Sequence, residues 1–370
     1  MFWNWTVFDM PTGMGLGAPP WNPSSSIACN SNLPCVTSAS PYNTTVLPTV
    51  SGVANNNTNR TPYTYQYSVG VQHEITPTLG LDLAYVGNAG RKNLFTYPFN
   101  AAHPGPGSIA SRSPYPAYTS LNGIVTWGTS HYDSMQLALR KTYANGLMFL
   151  GSYTWSHALG NSISGPQIGE TLSRRDNYNW KADTGNTVYD LRHILAVSWV
   201  YELPWGKGKP LGGNMSKAAD LALGGWKFGG ITSLRSGYYL TPTDAVNVSN
   251  AGGSRPDLIA DPNNQSHSSR DAAIHQWFTT SAFQRAAQYT FGTSGLGVIE
   301  GPGLVNFDLS LYKRFAVTEN KHLEFRAEFF NAFNRPNFGN PGTTFGTGSF
   351  GVISSSLEGR DIQLGIRFDF

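Results

Sequence analysis

Four acidic side chains, Asp82, Asp308, Glu324 and Glu328, are of the type that does acid–base chemistry, and two of them are closely spaced. Glu324 and Glu328 stand four apart with Arg326 midway. Paired carboxylates can divide the roles of proton donor and acceptor when their surroundings separate their pKa values. The neighbours argue for another use. Leu323, Phe325, Ala327 and Phe329 alternate with Glu324, Arg326 and Glu328, which places the three charges on one side of an extended strand. That pattern reads as a charge ladder on a polar wall. His193 follows Asp190 and Arg192, and the preferred reading is a strand entrance rather than an acid–base pair. His73, His131 and His157 lack metal-ligand spacing. Gly206-Lys207-Gly208-Lys209 lacks the glycine spacing and the strand-to-helix context of a phosphate loop, and reads as a basic turn. No Ser/His/Asp or Cys/His arrangement stands out. The sequence is expected to be neither an enzyme nor a cofactor binder.

The elements that position these residues are strands. Charged residues make up 13% of the chain and aromatics 13%, with 41 Gly and 23 Pro among 370 residues. Typical globular domains carry roughly 25% charge. Aromatic side chains favour strands, while Gly and Pro mark turns. Mean hydropathy is −0.27, and no apolar run approaches the roughly 18 residues of a spanning helix. Strands that alternate apolar and polar faces escape that measure. A net charge of +3 with no basic run gives no support for nucleic-acid binding. Cys29 and Cys35, six apart in a Ser/Pro/Asn-rich stretch, read as a loop disulfide, with two free thiols as the alternative.

Alternation is clearest at the end. Ile362, Leu364, Ile366, Phe368 and Phe370 are apolar, and Asp361, Gln363, Gly365, Arg367 and Asp369 fill the other side. Phe307, Leu309 and Leu311 alternate with Asn306, Asp308 and Ser310. Similar segments occur near 63–74, 79–88, 131–142, 146–157, 190–203 and 225–239, giving nine strands. The segment 225–239 is the least regular, because Ile231 falls opposite Trp226 and Phe228. The links Ile75–Thr78, Tyr143–Asn145 and Ala316–Asn320 are short, and Pro204–Gly224 is intermediate. The remaining links run to about 42 residues at 89–130, 31 at 159–189, 63 at 240–302 and 27 at 332–358. Compact soluble domains rarely hold several unstructured loops beyond roughly 15 residues. Membrane barrels do, with short turns on one side and long loops on the other. The expected fold is therefore an all-β, antiparallel, up-and-down transmembrane β-barrel in a bacterial outer membrane.

A periplasmic C-terminus makes the first of nine strands descend from outside. Residues 1–62 then form an extracellular loop region with a strand remnant at Phe2–Phe8, and 63–370 form the barrel region. Bacterial single-chain barrels have even strand numbers, and Met1–Asp9 has no basic region followed by an apolar stretch. Both points lead to the expectation of a partial barrel of about nine or ten strands. Asp308, Glu324, Arg326, Glu328, Gln363 and Arg367 are expected to face the lumen. Tyr153, Trp155, Trp199, Tyr201 and Trp226 read as interfacial aromatic girdles, against the alternative of an aromatic core in a soluble sheet.

Several stretches resemble the C-terminal barrel of TonB-dependent outer-membrane receptors of the Oar-like type. They are Gln66-Tyr67-Ser68-Val69-Gly70-Val71-Gln72, Ala84-Tyr85-Val86-Gly87-Asn88, Gly151-Ser152-Tyr153-Thr154-Trp155-Ser156 and Tyr189-Asp190-Leu191-Arg192-His193. Tyr201-Glu202-Leu203-Pro204-Trp205-Gly206-Lys207-Gly208 and Gly224-Gly225-Trp226 follow in order. Gly301-Pro302-Gly303, then Phe325-Arg326-Ala327-Glu328-Phe329-Phe330-Asn331-Ala332-Phe333-Asn334, lead to the closing Arg367-Phe368-Asp369-Phe370. The resemblance covers about residues 63–370. It implies a parent barrel of 22 strands closed by a plug, taking up a scarce ligand with energy from the inner-membrane TonB complex. This sequence shows no plug or TonB-contacting segment, so a fragment is expected. Phe370, Phe368 and Ile366 resemble the signal read by the barrel-assembly machinery. The expected partners are thus outer-membrane lipid, that machinery, an unnamed ligand, and TonB where a plug is present. A passive porin-like or structural outer-membrane barrel and a secreted β-rich adhesin are the rival readings.

Overall fold

The computed structural model describes residues 59–116, 121–161, 174–316, 318 and 321–370, with the backbone of Trp5–Val7 and Val53–Asn56. Nine long strands follow one another: β1 (Tyr63–Thr76), β2 (Leu79–Pro98), β3 (Asn122–Ala144), β4 (Leu147–Gly160), β5 (His193–Glu202), β6 (Trp226–Arg235), β7 (Leu304–Ala316), β8 (His322–Phe330) and β9 (Asp361–Asp369). Each pairs antiparallel with the next, so the sheet is a single up-and-down meander. Among the described residues, β1 and β9 do not pair with each other, and the sheet is an open wall. Trp5–Val7 pairs with Val53–Asn56, which runs parallel to the start of β3. The Cys29–Cys35 pair lies outside the described residues.

Register fixes the two faces. Leu309, Phe329 and Ile362 lie across from one another on β7, β8 and β9, as do Leu311, Ala327 and Leu364. The same row continues through Phe228 and Tyr201 to Leu147. At the other edge Val71, Leu83, Leu137 and Tyr153 are aligned. Because side chains alternate along every strand, one such row forces the rest of its face. The wall therefore has two faces shared by all nine strands, one apolar and the other mostly polar, with Met148, Leu150, Ile194 and Val200 among its apolar exceptions. Ile231 sits on the polar face opposite Asp308 and Ser198, as its sequence position requires.

One end of the wall has short connections. β3 and β4 are joined by Asn145 and Gly146, both with positive φ (52° and 79°), the backbone of a type I′ hairpin turn. The opposite end departs from expectation. The stretch 89–130 is not a 42-residue loop, because β2 reaches Pro98 and β3 begins at Asn122. The ladder is regular as far as Arg91 and then shifts register twice, around Asn93, with Lys92 at φ 56°, which breaks the alternation beyond that point. The backbone pairing persists through both shifts. Nor is 240–302 unstructured. It folds around Phe278, Ala282, Phe283 and Ile299, flanked by Leu240, Leu258, Trp277, Val298, Phe345 and Phe350. Short strand pairs tie Tyr239–Leu240 to Ile299–Glu300, Asp257–Leu258 to Phe283–Gln284, and Thr243–Asp244 to Thr344–Phe345. No described helix is long and apolar enough to cross a membrane.

Candidate functional site

The polar face is densest on β7, β8 and β9. Glu324 faces Arg314 on one side and Arg367 on the other, and Glu328 faces Ser310 and Gln363. Arg326 bridges along its own strand, at 2.9 Å from Glu324 and 3.9 Å from Glu328. The Tyr312 hydroxyl donates to Glu324 at 3.0 Å. Arg367 pairs with Asp369 at 2.7 Å. Asp308 shares this face, but its carboxylate accepts the backbone N–H of Asn331 at 2.9 Å and holds the turn that leaves β8. Glu324, Arg326, Glu328 and Arg367 thus form one ladder of alternating sign, with the neutral amide of Gln363 beside Glu328. Exposed ion pairs of this kind contribute about 0–1 kcal/mol each. What the ladder provides is a polar, charge-bearing wall.

At the end of the wall opposite the short turns the long connections pack together into a cap. Its charged centre is Asp183, fully buried, with Arg255 at 2.9 Å and Arg174 at 3.7 Å. The backbone N–H of Arg175 also donates to this carboxylate. Burial lowers the pKa of both guanidiniums, and the Asp183 charge opposes that shift. Arg174 also lies over the Phe95 ring at 3.9 Å, joining the cap to the extension of β2. Asn250 donates to the carbonyls of Gly105 and Gly107 at 3.0 and 2.9 Å, and Asn186 donates to Gly297 at 2.9 Å. Tyr178 stacks on His103 with ring centroids 3.8 Å apart.

His193 does not meet Asp190. It contacts the Tyr153 hydroxyl at 2.8 Å, and His157 takes the Asp190 carboxylate at 2.9 Å. Arg192 lies 3.2 Å from the other ring nitrogen of His157 and donates to the Tyr239 hydroxyl at 3.1 Å. With both ring nitrogens occupied, the group works as a strut between β4 and the cap. His131 pairs with Asp133 at 2.5 Å, while His73 lies near the short-turn end of β1. Among the described residues, no group of three or more His, Cys, Asp or Glu is placed to hold a metal. The Gly206–Lys209 turn sits at the short-turn end, where Lys209 pairs with Glu202 at 3.2 Å.

Tyr153, Trp155, Trp199, Tyr201 and Trp226 all lie on the apolar face. Tyr153 and Trp155 lie towards the cap, and Trp199, Tyr201 and Trp226 towards the short turns. Ile366 and Phe368 share that face, and Phe370 is 93% exposed beyond β9. A hollow of about 560 Å³ also opens there, with Val69, Val71, Leu83, Tyr85, Met135 and Trp155 in its lining. It is away from the charge ladder, and Asp133, His157 and Arg192 also line it. Two polar groups on this face were not evident from sequence. Asp133 accepts the hydroxyls of Tyr67 and Tyr85 at 2.8 and 2.6 Å, and Lys313 is 2% exposed. Their partners are remote in sequence, so only alternation itself gave a signal: Lys313 follows Phe307, Leu309 and Leu311, and Asp133 precedes Met135, Leu137 and Leu139.

Among solved structures, the chain is similar to the outer membrane transporter YddB from Escherichia coli, with 11% identity and a TM-score of 0.44, covering 86% of this chain and 34% of that one. It is also similar to BauA, the ferric preacinetobactin receptor from Acinetobacter baumannii, with 11% identity and a TM-score of 0.42, covering 83% and 29%. The chain spans about a third of the length of these structures. No curated protein sequence matches it. The family described as "Outer membrane beta barrel domain" matches residues 11–363. With that match over nearly the whole chain, the protein belongs to the outer membrane β-barrel domain family, and its place is the bacterial outer membrane.

Proposed function

We propose that this chain forms the C-terminal part of the barrel wall of a TonB-dependent receptor of the Oar-like type. The observation that carries the reading is the division of nine strands into an apolar and a polar face, with a packed cap at the end away from the short turns. In lipid every backbone polar group needs an internal partner, which favours closed barrels. The described wall has two open edges, so closure requires further strands. The apolar face meets lipid, and Asp308, Glu324, Arg326, Glu328, Gln363 and Arg367 line the lumen. From His193 to Tyr201 the strand covers about 27 Å, or about 20 Å of height at the usual tilt. The aromatic groups near those levels are thereby spaced to suit the two edges of an apolar band roughly 25 Å tall. The cap meets the ligand outside, and barrels of about 22 strands are plugged transporters.

Uptake driven by TonB and passive diffusion can be separated in the source bacterium. The gene and the tonB gene are disrupted separately, and depletion of solutes from the medium is compared by mass spectrometry. The proposal expects the solute lost from uptake in the first strain to be lost in the second. A solute whose uptake needs this gene and is indifferent to TonB would instead establish a passive pore.

A further inference from the structure

The connection 203–225 does something that a turn does not need to do. It contains a helix, Lys217–Leu223, whose Ser216 cap accepts the N–H of Ala219 at 3.3 Å. The Asp220 carboxylate accepts the N–H of Lys207 at 2.6 Å and so ties this helix to the preceding hairpin. The helix end lies over the apolar face of the wall. Lys313 stands on that face, opposite Trp226 and Phe325, and its ammonium donates to the carbonyl of Leu221. The same ammonium lies 5.2 Å from the Trp226 ring centre and 4.8 Å from that of Phe315. The Trp226 indole N–H donates to the carbonyl of Ala222 at 2.9 Å. A charge on a lipid-facing strand is costly near mid-membrane and much less so at its edge. Carbonyls at a helix C-terminus together with two aromatic faces satisfy it here.

The outer side of this connection is both apolar and basic. Trp205, Leu211, Leu221 and Leu223 are 47%, 49%, 57% and 55% exposed. Residues 203–225 carry Lys207, Lys209 and Lys217 against Asp220, a net +2 from three minus one. Lys209 is engaged by Glu202, whereas Lys207 and Lys217 have no acidic side chain within ion-pair distance among the described residues. Exposed large apolar groups beside free lysines, next to the lipid-facing wall, are the composition of a segment lying at a membrane surface.

We infer that the 203–225 connection is a membrane-surface anchor: it seats Leu221 and Leu223 at the leaflet edge nearest the short turns and sets Lys207 and Lys217 against anionic phospholipid headgroups. The inference rests on the proposed lipid contact of the apolar face. The test uses the full chain with Cys29→Ser and Cys35→Ser, reconstituted in phosphatidylcholine vesicles with or without phosphatidylglycerol. An environment-sensitive fluorophore is attached at Leu223→Cys or, separately, at Leu364→Cys. The label at 223 is expected to shift to the blue and to be quenched by lipids carrying a nitroxide near the headgroup. Phosphatidylglycerol should enhance this quenching, and Lys207→Gln with Lys217→Gln should reduce the preference about five-fold for each lysine. Quenching at 223 by aqueous iodide alone, with the label at 364 quenched by lipid, overturns the anchor and leaves the face assignment standing. Iodide quenching at both positions overturns the face assignment and the anchor with it. Insertion at 223 that is indifferent to phosphatidylglycerol overturns the headgroup partner.

Discussion

At the scale of single residues, Asp183 is a fully buried carboxylate that pairs with two arginines. It is buried between two buried guanidiniums, and removing one member of such a group leaves uncompensated charge. Asp183→Ala is expected to destabilise the cap by about 3–5 kcal/mol, read as faster amide exchange in 174–186 and 253–257. Unchanged exchange there would contradict the assignment. For Phe370 the proposed role is a different one, the end signal of barrel assembly. Its ring stacks on Phe368, with centroids 6.2 Å apart, and it is almost fully exposed, so deleting it should leave the folded wall stable. The assembly-signal proposal predicts less chain in the outer membrane after the deletion, measured by fractionation and heat-modifiable gel mobility. Equal amounts of membrane-inserted chain would remove that role.

At the scale of elements, alternation decided what could be read. β8 and β9 were legible because Leu323–Phe329 and Ile362–Phe370 keep strict period two, and β7 shows the same pattern in part. So was the ladder of Glu324, Arg326 and Glu328, because a strand leaves no freedom in which side they take. The upper halves of β2 and β3 were not legible. Register shifts near Asn93 reverse which residues face inward, and this erases the period. The cap was missed for a related reason. Phe278, Phe283 and Ile299 have no regular spacing, and they gather through short strand pairs between distant segments. The cap has its own small core, so Phe278→Ala should loosen it by about 3–5 kcal/mol. Limited proteolysis is expected to cut within 236–303 while β7, β8 and β9 stay protected. Loss of protection in both would show that the cap and the wall unfold as one.

At the scale of the whole molecule, the wall is a partition between two solvents. Nearly every strand presents the same two sides, and the exceptions are informative. Asp133 is held by two tyrosine hydroxyls and His131 near the cap end, and Lys313 is enclosed at the short-turn end. Asp133 and Lys313 thus lie away from the middle of the apolar face, where a bilayer would tolerate them least, and Arg91 and Lys141, on the same face, also stand near its two ends. This predicts an asymmetry between adjacent positions on β9. Leu364→Arg is expected to cost about 2–4 kcal/mol in a bilayer, and Gln363→Arg, on the polar side, about 0–1 kcal/mol, both read from denaturant titrations in vesicles. Comparable losses at the two positions would be inconsistent with a lipid-facing side.

The central claim is that one face of the wall meets lipid and the other meets water. A nitroxide scan of β8, one label at a time from His322 to Phe330 in vesicles, measures it most directly. Collision rates with oxygen, which concentrates in hydrocarbon, should peak at 323, 325, 327 and 329. Rates with a water-soluble nickel chelate should peak at 324, 326 and 328. Two curves of period two and opposite phase are the predicted result. Curves that rise and fall together along the strand would contradict the account.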